Sequence, residues 1–133
     1  MADTVTSQTI QDSERKAVLK FTNVSDGTGE SAVAKVDVSA LTANSAGTAC
    51  TSVTVSKIWW QCVGMGVELL FDASTDVLII GLSPDSNGFH DYSPFTGISN
   101  NAGSGKTGDI LFTTIGASNT DTYTVILELI KEY

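Results

Sequence analysis

Residues 123–129 read Tyr-Thr-Val-Ile-Leu-Glu-Leu, with Tyr123, Val125, Leu127 and Leu129 sharing one parity. Successive side chains on a strand point to opposite faces, so this period of two predicts a strand with one apolar face. The same period recurs upstream. Leu19 and Phe21 alternate with Lys20 and Thr22, and Ala34, Val36 and Val38 alternate with Lys35, Asp37 and Ser39. Val53 and Val55 flank Thr54, Val67, Leu69 and Phe71 share a parity, and Ile110 and Phe112 repeat it. Turn-forming clusters separate the runs: Ser25-Asp26-Gly27-Thr28-Gly29, Asn44-Ser45-Ala46-Gly47, Asp72-Ala73-Ser74-Thr75-Asp76 and Gly116-Ala117-Ser118-Asn119. Only Ser13 to Val18 has room for a short helical turn. The pattern predicts an all-β chain, an antiparallel sandwich or barrel. Residues 1–14 read as a polar N-terminal arm that pairs with a neighbour or stays unstructured, and residues 15–133 as a single β-sandwich domain.

At 133 residues and 13.9 kDa the chain suits one domain. A domain of this size buries roughly two-thirds of the surface its unfolded chain exposes, so it needs neither metal nor disulfide to fold. Charged residues make up 17%, below the usual quarter, with Ser, Thr and Gly in their place. Seven basic against fifteen acidic residues give a net charge of -8 and a pI near 4.3. That balance repels phosphate backbones and anionic lipid, which argues against nucleic-acid and membrane partners. The start of the chain has no basic and apolar leader pattern, and no apolar run approaches the roughly 18 residues of a membrane-spanning helix. The expectation is a soluble product made in a cytoplasm, with Cys50 and Cys62 reduced and packed.

Two segments depart from the rule of one wet face. Trp59 and Trp60 are adjacent, so on a strand one faces the core and the other faces outward. Leu69-Leu70-Phe71 and Val77-Leu78-Ile79-Ile80 likewise place apolar groups on both faces. Either a loop or arm of the chain covers the outer groups, or a partner subunit does; the expectation is a partner. The longest irregular stretch, Ser83 to Gly108, holds Phe89, His90, Tyr92 and Phe95 with Pro84 and Pro94. Its aromatics either pin the loop to its own domain or anchor a protein contact. The expected interface residues are Trp59, Trp60, Leu70, Phe89, Tyr92 and Phe95.

Residue patterns for chemistry are sparse. Gly103-Ser104-Gly105-Lys106-Thr107 lacks the first glycine of a phosphate-binding loop, since Asn100 stands there, and no helix pattern follows it. His90 is the single histidine, too few for a zinc site, and no G-x-S-x-G elbow accompanies it. Asp26-Gly27-Thr28-Gly29-Glu30 and Asp85-Ser86-Asn87-Gly88 fall short of the full calcium-loop run. The acids lie mainly in turns, and the sequon Asn23-Val24-Ser25 means nothing without secretion. No catalytic, cofactor-binding or metal-binding residue is identified, and the reading is a non-enzyme.

Several segments carry a resemblance: Ala2 to Thr9, Lys20 to Glu30, Lys35 to Leu41, Ile58-Trp59-Trp60, Gly64-Met65-Gly66-Val67, Asp109 to Thr114, and Tyr123 to Glu128. Together they resemble small virion structural proteins of tailed bacteriophages, especially phages of aquatic bacteria. The resemblance spans nearly the whole chain, with Ser83 to Lys106 the least similar part, and includes no signature site. It implies a jelly-roll β-sandwich that decorates or cements the capsid, with the major capsid protein as partner, often as a trimer on the virion surface. The net charge of -8 favours a basic footprint on that partner. The alternatives are a low-copy tail, fibre or adaptor protein, and a carbohydrate-binding sandwich that stacks sugars on Tyr92 and Phe95.

Overall fold

A computed structural model describes residues 3–133, leaving Met1 and Ala2 of the expected arm outside the described residues. Among the described residues nine strands form two sheets. They are β1 (Thr4–Asp12), β2 (Lys16–Asp26), β3 (Val33–Val36), β4 (Ser52–Val63), β5 (Gly66–Phe71), β6 (Val77–Leu82), β7 (Asn87–Asp91), β8 (Ile110–Ile115) and β9 (Asn119–Glu132). The larger sheet has the order β1-β2-β9-β4-β7 and the smaller β3-β8-β5-β6. Every pairing is antiparallel. Setting β1 aside, β2-β9-β4-β7 faces β3-β8-β5-β6, the strand order of an eight-stranded jelly roll, with β1 added at one edge.

The alternation read from the sequence becomes the core except at Ala34, which is exposed because a register shift in β3 separates it from buried Val36. Leu19 and Phe21 of β2, Val53, Val55, Ile58 and Cys62 of β4, and Tyr123, Val125, Leu127 and Leu129 of β9 face inward from the larger sheet. Val67, Leu69 and Phe71 of β5 and Ile110 and Phe112 of β8 meet them from the smaller one. Phe112 is the hinge of this contact: its ring stands edge-on to Phe21 at 5.2 Å and tilted against Tyr123 at 5.8 Å. Cys50 and Cys62 are both free thiols and both buried, and burial pushes the Cys62 thiol up to about 11.

Three sequence readings change. Thr4–Asp12 is a strand, so the sandwich begins at Thr4 rather than at residue 15. This edge strand buries neither face, eight of its nine residues being exposed, so no apolar alternation betrays it; its ladder to β2 holds it instead. Ser13 to Val18 contains no helical turn. The Ser13 N–H and hydroxyl both donate to the Lys16 carbonyl, closing a tight turn, and Lys16 already belongs to β2. The stretch from Ser83 to Gly108 is irregular only in part: it holds β7 and a short 3-10 turn at Ser93–Phe95.

Two polar clusters clamp the ends of the sandwich. At one end Glu30 accepts hydrogen bonds from the Tyr123 hydroxyl (2.6 Å) and Asn23 Nδ2 (2.8 Å) and pairs with Lys35 Nζ at 2.5 Å. The Glu30 and Lys35 side chains are each only 7% exposed. Beside them Asp3 accepts from Asn23 Nδ2, the Ser25 hydroxyl and the backbone N–H groups of Asp26 and Gly29, tying the start of the chain to the β2–β3 turn. At the other end the buried Lys131 ammonium meets Asp12 and donates to the Thr42 carbonyl, while Asp12 accepts from the Thr42 N–H and hydroxyl.

Removing one partner of a buried ion pair strands the other charge, a loss of about 3–5 kcal/mol. Glu30→Ala also leaves the Tyr123 hydroxyl unmatched, so it is expected to lower unfolding stability by about 3 kcal/mol or more in urea. Tyr123→Phe keeps the Glu30–Lys35 pair and is expected to cost only about 1 kcal/mol. Equal losses in the two variants would deny the pair its role. Burial pushes the Asp12 carboxyl up, but the hydrogen bonds from Lys131 and Thr42 outweigh it and hold Asp12 below its ordinary value. Its contribution is therefore present above the unfolded carboxyl value of about 4 and is lost as pH falls through the depressed one. Asp12→Asn is expected to flatten the fall of Tm below about pH 4, while lowering Tm at neutral pH.

Candidate interaction surfaces

The two tryptophans are sorted by a bulge. Before it, odd-numbered Val53 and Val55 point inward; the register shift between Val55 and Lys57 moves the inward parity to Ile58, Trp60 and Cys62. Trp59 consequently faces outward and is 36% exposed, while Trp60 is half-buried against the core. The bulge is held from the side. The Ser56 carbonyl accepts from the Tyr92 N–H at 2.8 Å, and Val55 and Ile98 exchange two backbone hydrogen bonds at 2.9 Å. Gly97 makes this approach possible: at φ +88 it sits where a Cβ would lie 2.6 Å from Thr54 Cγ2 and 2.9 Å from the Val55 carbonyl oxygen.

β7 pairs with β4 and divides the aromatic residues between two faces. Outward, Phe89 lies opposite Trp59, and their rings stack at 5.1 Å and 23°. Inward, Trp60 covers Gly88, where an added Cβ would meet the indole at 3.0 Å, and donates from Nε1 to the Ser86 hydroxyl at 3.1 Å. Trp60 then meets His90 edge-on at 4.8 Å, His90 Nδ1 bonds the Tyr92 hydroxyl at 2.9 Å, and Tyr92 leans on Phe95 at 5.7 Å and 49°. Trp59 and Phe89 therefore form one pair, and Trp60, Tyr92 and Phe95 belong to a second group linked through His90. Tyr92 packs against the core and Phe95 is 61% exposed, so the loop aromatics serve as a pin with a free tip rather than a flat platform.

Leu70 belongs elsewhere. On the outer face of the smaller sheet it lies in a row with Ala34, Leu111 and Leu78, one residue from each strand. Leu78 is 52% exposed at the end of that row, and nothing among the described residues covers it. β6, which carries Leu78, is an edge strand reading Val-Leu-Ile-Ile-Gly-Leu, without a charge or a proline.

The chemistry candidates resolve simply. Asp91 turns away from His90, and its Oδ1 accepts from the Ser93 N–H at 2.9 Å. The Gly103–Thr107 loop leads into β8, not a helix, and Thr107 donates to Asp72 at 2.8 Å. In the Asp26–Glu30 turn the Asp26 carboxylate accepts from the Thr28 N–H and Glu30 is engaged by Lys35 and Tyr123. Among the described residues no group of three or more His, Cys, Asp or Glu side chains is placed to hold a metal ion.

Sequence reasoning placed one tryptophan in and one out but had no means of saying which, because the bulge at Ser56 has no composition of its own. It also missed the partner of Trp59, since β7 reads Asn-Gly-Phe-His-Asp with a single large apolar residue. The sorting has a measurable consequence. Trp60→Ala is expected to cost about 2 kcal/mol or more of unfolding stability and Trp59→Ala less than about 1 kcal/mol. In single-tryptophan variants acrylamide should quench Trp59 more strongly than Trp60; the reverse order would invert the assignment.

No family model matches the chain, and no curated protein is similar to it. Among solved structures it is similar to a cupin superfamily protein from Desulfitobacterium hafniense, at 12% identity and a TM-score of 0.37, over 100% of this chain and 82% of that one.

Proposed function

We propose that the chain is a virion structural protein of a tailed bacteriophage, a capsid decoration or cement protein. In this reading it binds the outside of the mature shell through the major capsid protein and stabilises it by protein–protein contacts, without enzymatic chemistry. The sequence resemblance supplies the setting. The observation that carries the contact role is β6, an uncharged apolar strand that no other strand among the described residues pairs along its outer edge, continuous with the exposed end of the Leu70 row. A free protein with such an edge invites pairing by another chain, and in solution such edges are normally blunted by charge or proline. A homo-oligomer closing that edge, a trimer by the resemblance, presents several copies of the shell-binding surface at once.

The mechanism is thermodynamic. A protein that binds only the assembled lattice stabilises it by mass action, and weak contacts repeated on a multivalent unit add through effective concentration. The net charge of -8 limits nonspecific self-association and favours a basic footprint on the shell.

Two measurements test this. Quantitative peptide mass spectrometry of purified particles should return a ratio to the major shell protein near one or a simple lattice fraction. A ratio of a few per cent or less would move the protein to the tail, a fibre or an adaptor. In solution, light scattering should give a multiple of the 13.9 kDa chain mass, three-fold for the trimer. Leu78→Lys, at an exposed position, should lower that mass while leaving the far-ultraviolet circular dichroism of the folded subunit unchanged; an unchanged oligomer would remove β6 from the interface.

A further inference from the structure

We infer that the outer face of the larger sheet, at its β4–β7 edge, is a binding site for a neutral glycan. Trp59 and Phe89 stack on one another and each keeps exposed apolar surface, 36% and 49%, next to Ile126 of β9 in the same row. Two residues along each strand lies a second row, crossing all five strands: Thr6, Thr22, Thr124, Gln61 and Asn87. At about 4.8 Å per strand this row runs about 19 Å and offers one hydroxyl or amide per strand. Thr6 and Thr22 bond each other through their hydroxyls. The side chains of Thr124, Gln61 and Asn87, next to the aromatic pair, make no hydrogen bond within the described chain. Together with the two rings they line a depression of about 520 Å³, within the usual range of ligand sites.

The occupant follows from the chemistry of that lining. A pyranose has an apolar C–H face and a rim of hydroxyls; the face lies on an aromatic plane while amides both donate to and accept from the rim. None of the residues lining the depression is charged, in a chain of net charge -8. The charges one row further on, Lys57 and Glu128, are already paired at 3.4 Å, and Lys20 stands two strands from Trp59 in the aromatic row. A nucleic acid, an anionic lipid or an ionic peptide would find no charge in the lining itself and a single cation, Lys20, two strands away. A wholly apolar partner, including a second copy docked by its leucine row, would desolvate the Gln61 and Asn87 amides without replacing their hydrogen bonds to water. The site does not depend on the decoration reading, which rests on β6 and the opposite sheet.

The test is calorimetric titration of the intact chain with four neutral hexasaccharides: cellohexaose, xylohexaose, mannohexaose and laminarihexaose. At least one is expected to bind, with Trp59→Ala or Phe89→Ala lowering the affinity about ten-fold or more. Gln61→Ala should lower it several-fold, and Tyr92→Phe should leave it unchanged. Circular dichroism and Tm of the Trp59→Ala protein should match the parent, with Phe89→Ala as the second variant if they do not. No binding of any of the four at about 10 mM would overturn the proposal, as would full affinity in both aromatic variants. A changed solution mass on Trp59→Ala would overturn it too, by assigning the face to a subunit contact.

Discussion

β9 is the strand on which the sandwich depends. It pairs with β2 along one side, from Lys16–Ile130 to Asp26–Asn119, and with β4 along the other, from Ser52–Glu132 to Val63–Thr122. Every second residue from Tyr123 to Leu129 is buried against the smaller sheet, and the Tyr123 hydroxyl carries the chain across to Glu30. A one-residue slip of β9 would turn that apolar set to water and its polar neighbours inward, so register and core are specified together. Both polar clamps hang on the same strand, Glu30 through Tyr123 near one end and Asp12 through Lys131 near the other. Local pairing, long-range packing and end closure thus converge on fourteen residues.

How much of this was legible in the amino-acid sequence follows from burial. Strands that bury mainly one face (β2, β5 and β9) announce themselves by alternation, because water selects the residue at every second position. β1 and β7 do not, since edge strands are held by backbone hydrogen bonds that any side chain permits. Their invisibility explains both the misplaced arm and the overlong loop. It also hid the Trp59–Phe89 pair, which requires knowing that residue 89 lies on a strand next to β4. The bulge at Ser56 was unreadable for another reason: it is held by tertiary bonds to Tyr92 and Ile98, roughly forty residues away. The neutral row is written in the sequence one residue per strand, and only register assembles it.

The two outer faces differ in kind. The smaller sheet carries an outer row in which Leu111 is buried and Leu78 is exposed beside an apolar edge strand, a surface that gains by excluding water. The larger presents an exposed aromatic pair beside solvent-facing amides, a surface that gains only from a partner able to replace water's hydrogen bonds. Under the two proposals above, one jelly roll would keep a protein contact and a sugar contact apart by placing them on opposite sides of a shared core. The core couples them weakly: the side chains of both outer rows point away from it, so each face is open to change without repacking the other.

The course of β1, β2 and β9 also sets how the domain answers force. β1 enters at the Val24 end of the larger sheet, and β9 leaves at the Lys16 end, with β2 between them. Tension applied between residue 4 and residue 132 therefore runs along the strands, and the β1–β2 and β2–β9 ladders are strained in shear. In that geometry the hydrogen bonds resist as a set, whereas a hairpin pulled open from one end yields them one after another. A domain wired this way is mechanically stiff along the axis joining its ends, independent of how stable it is to heat or denaturant.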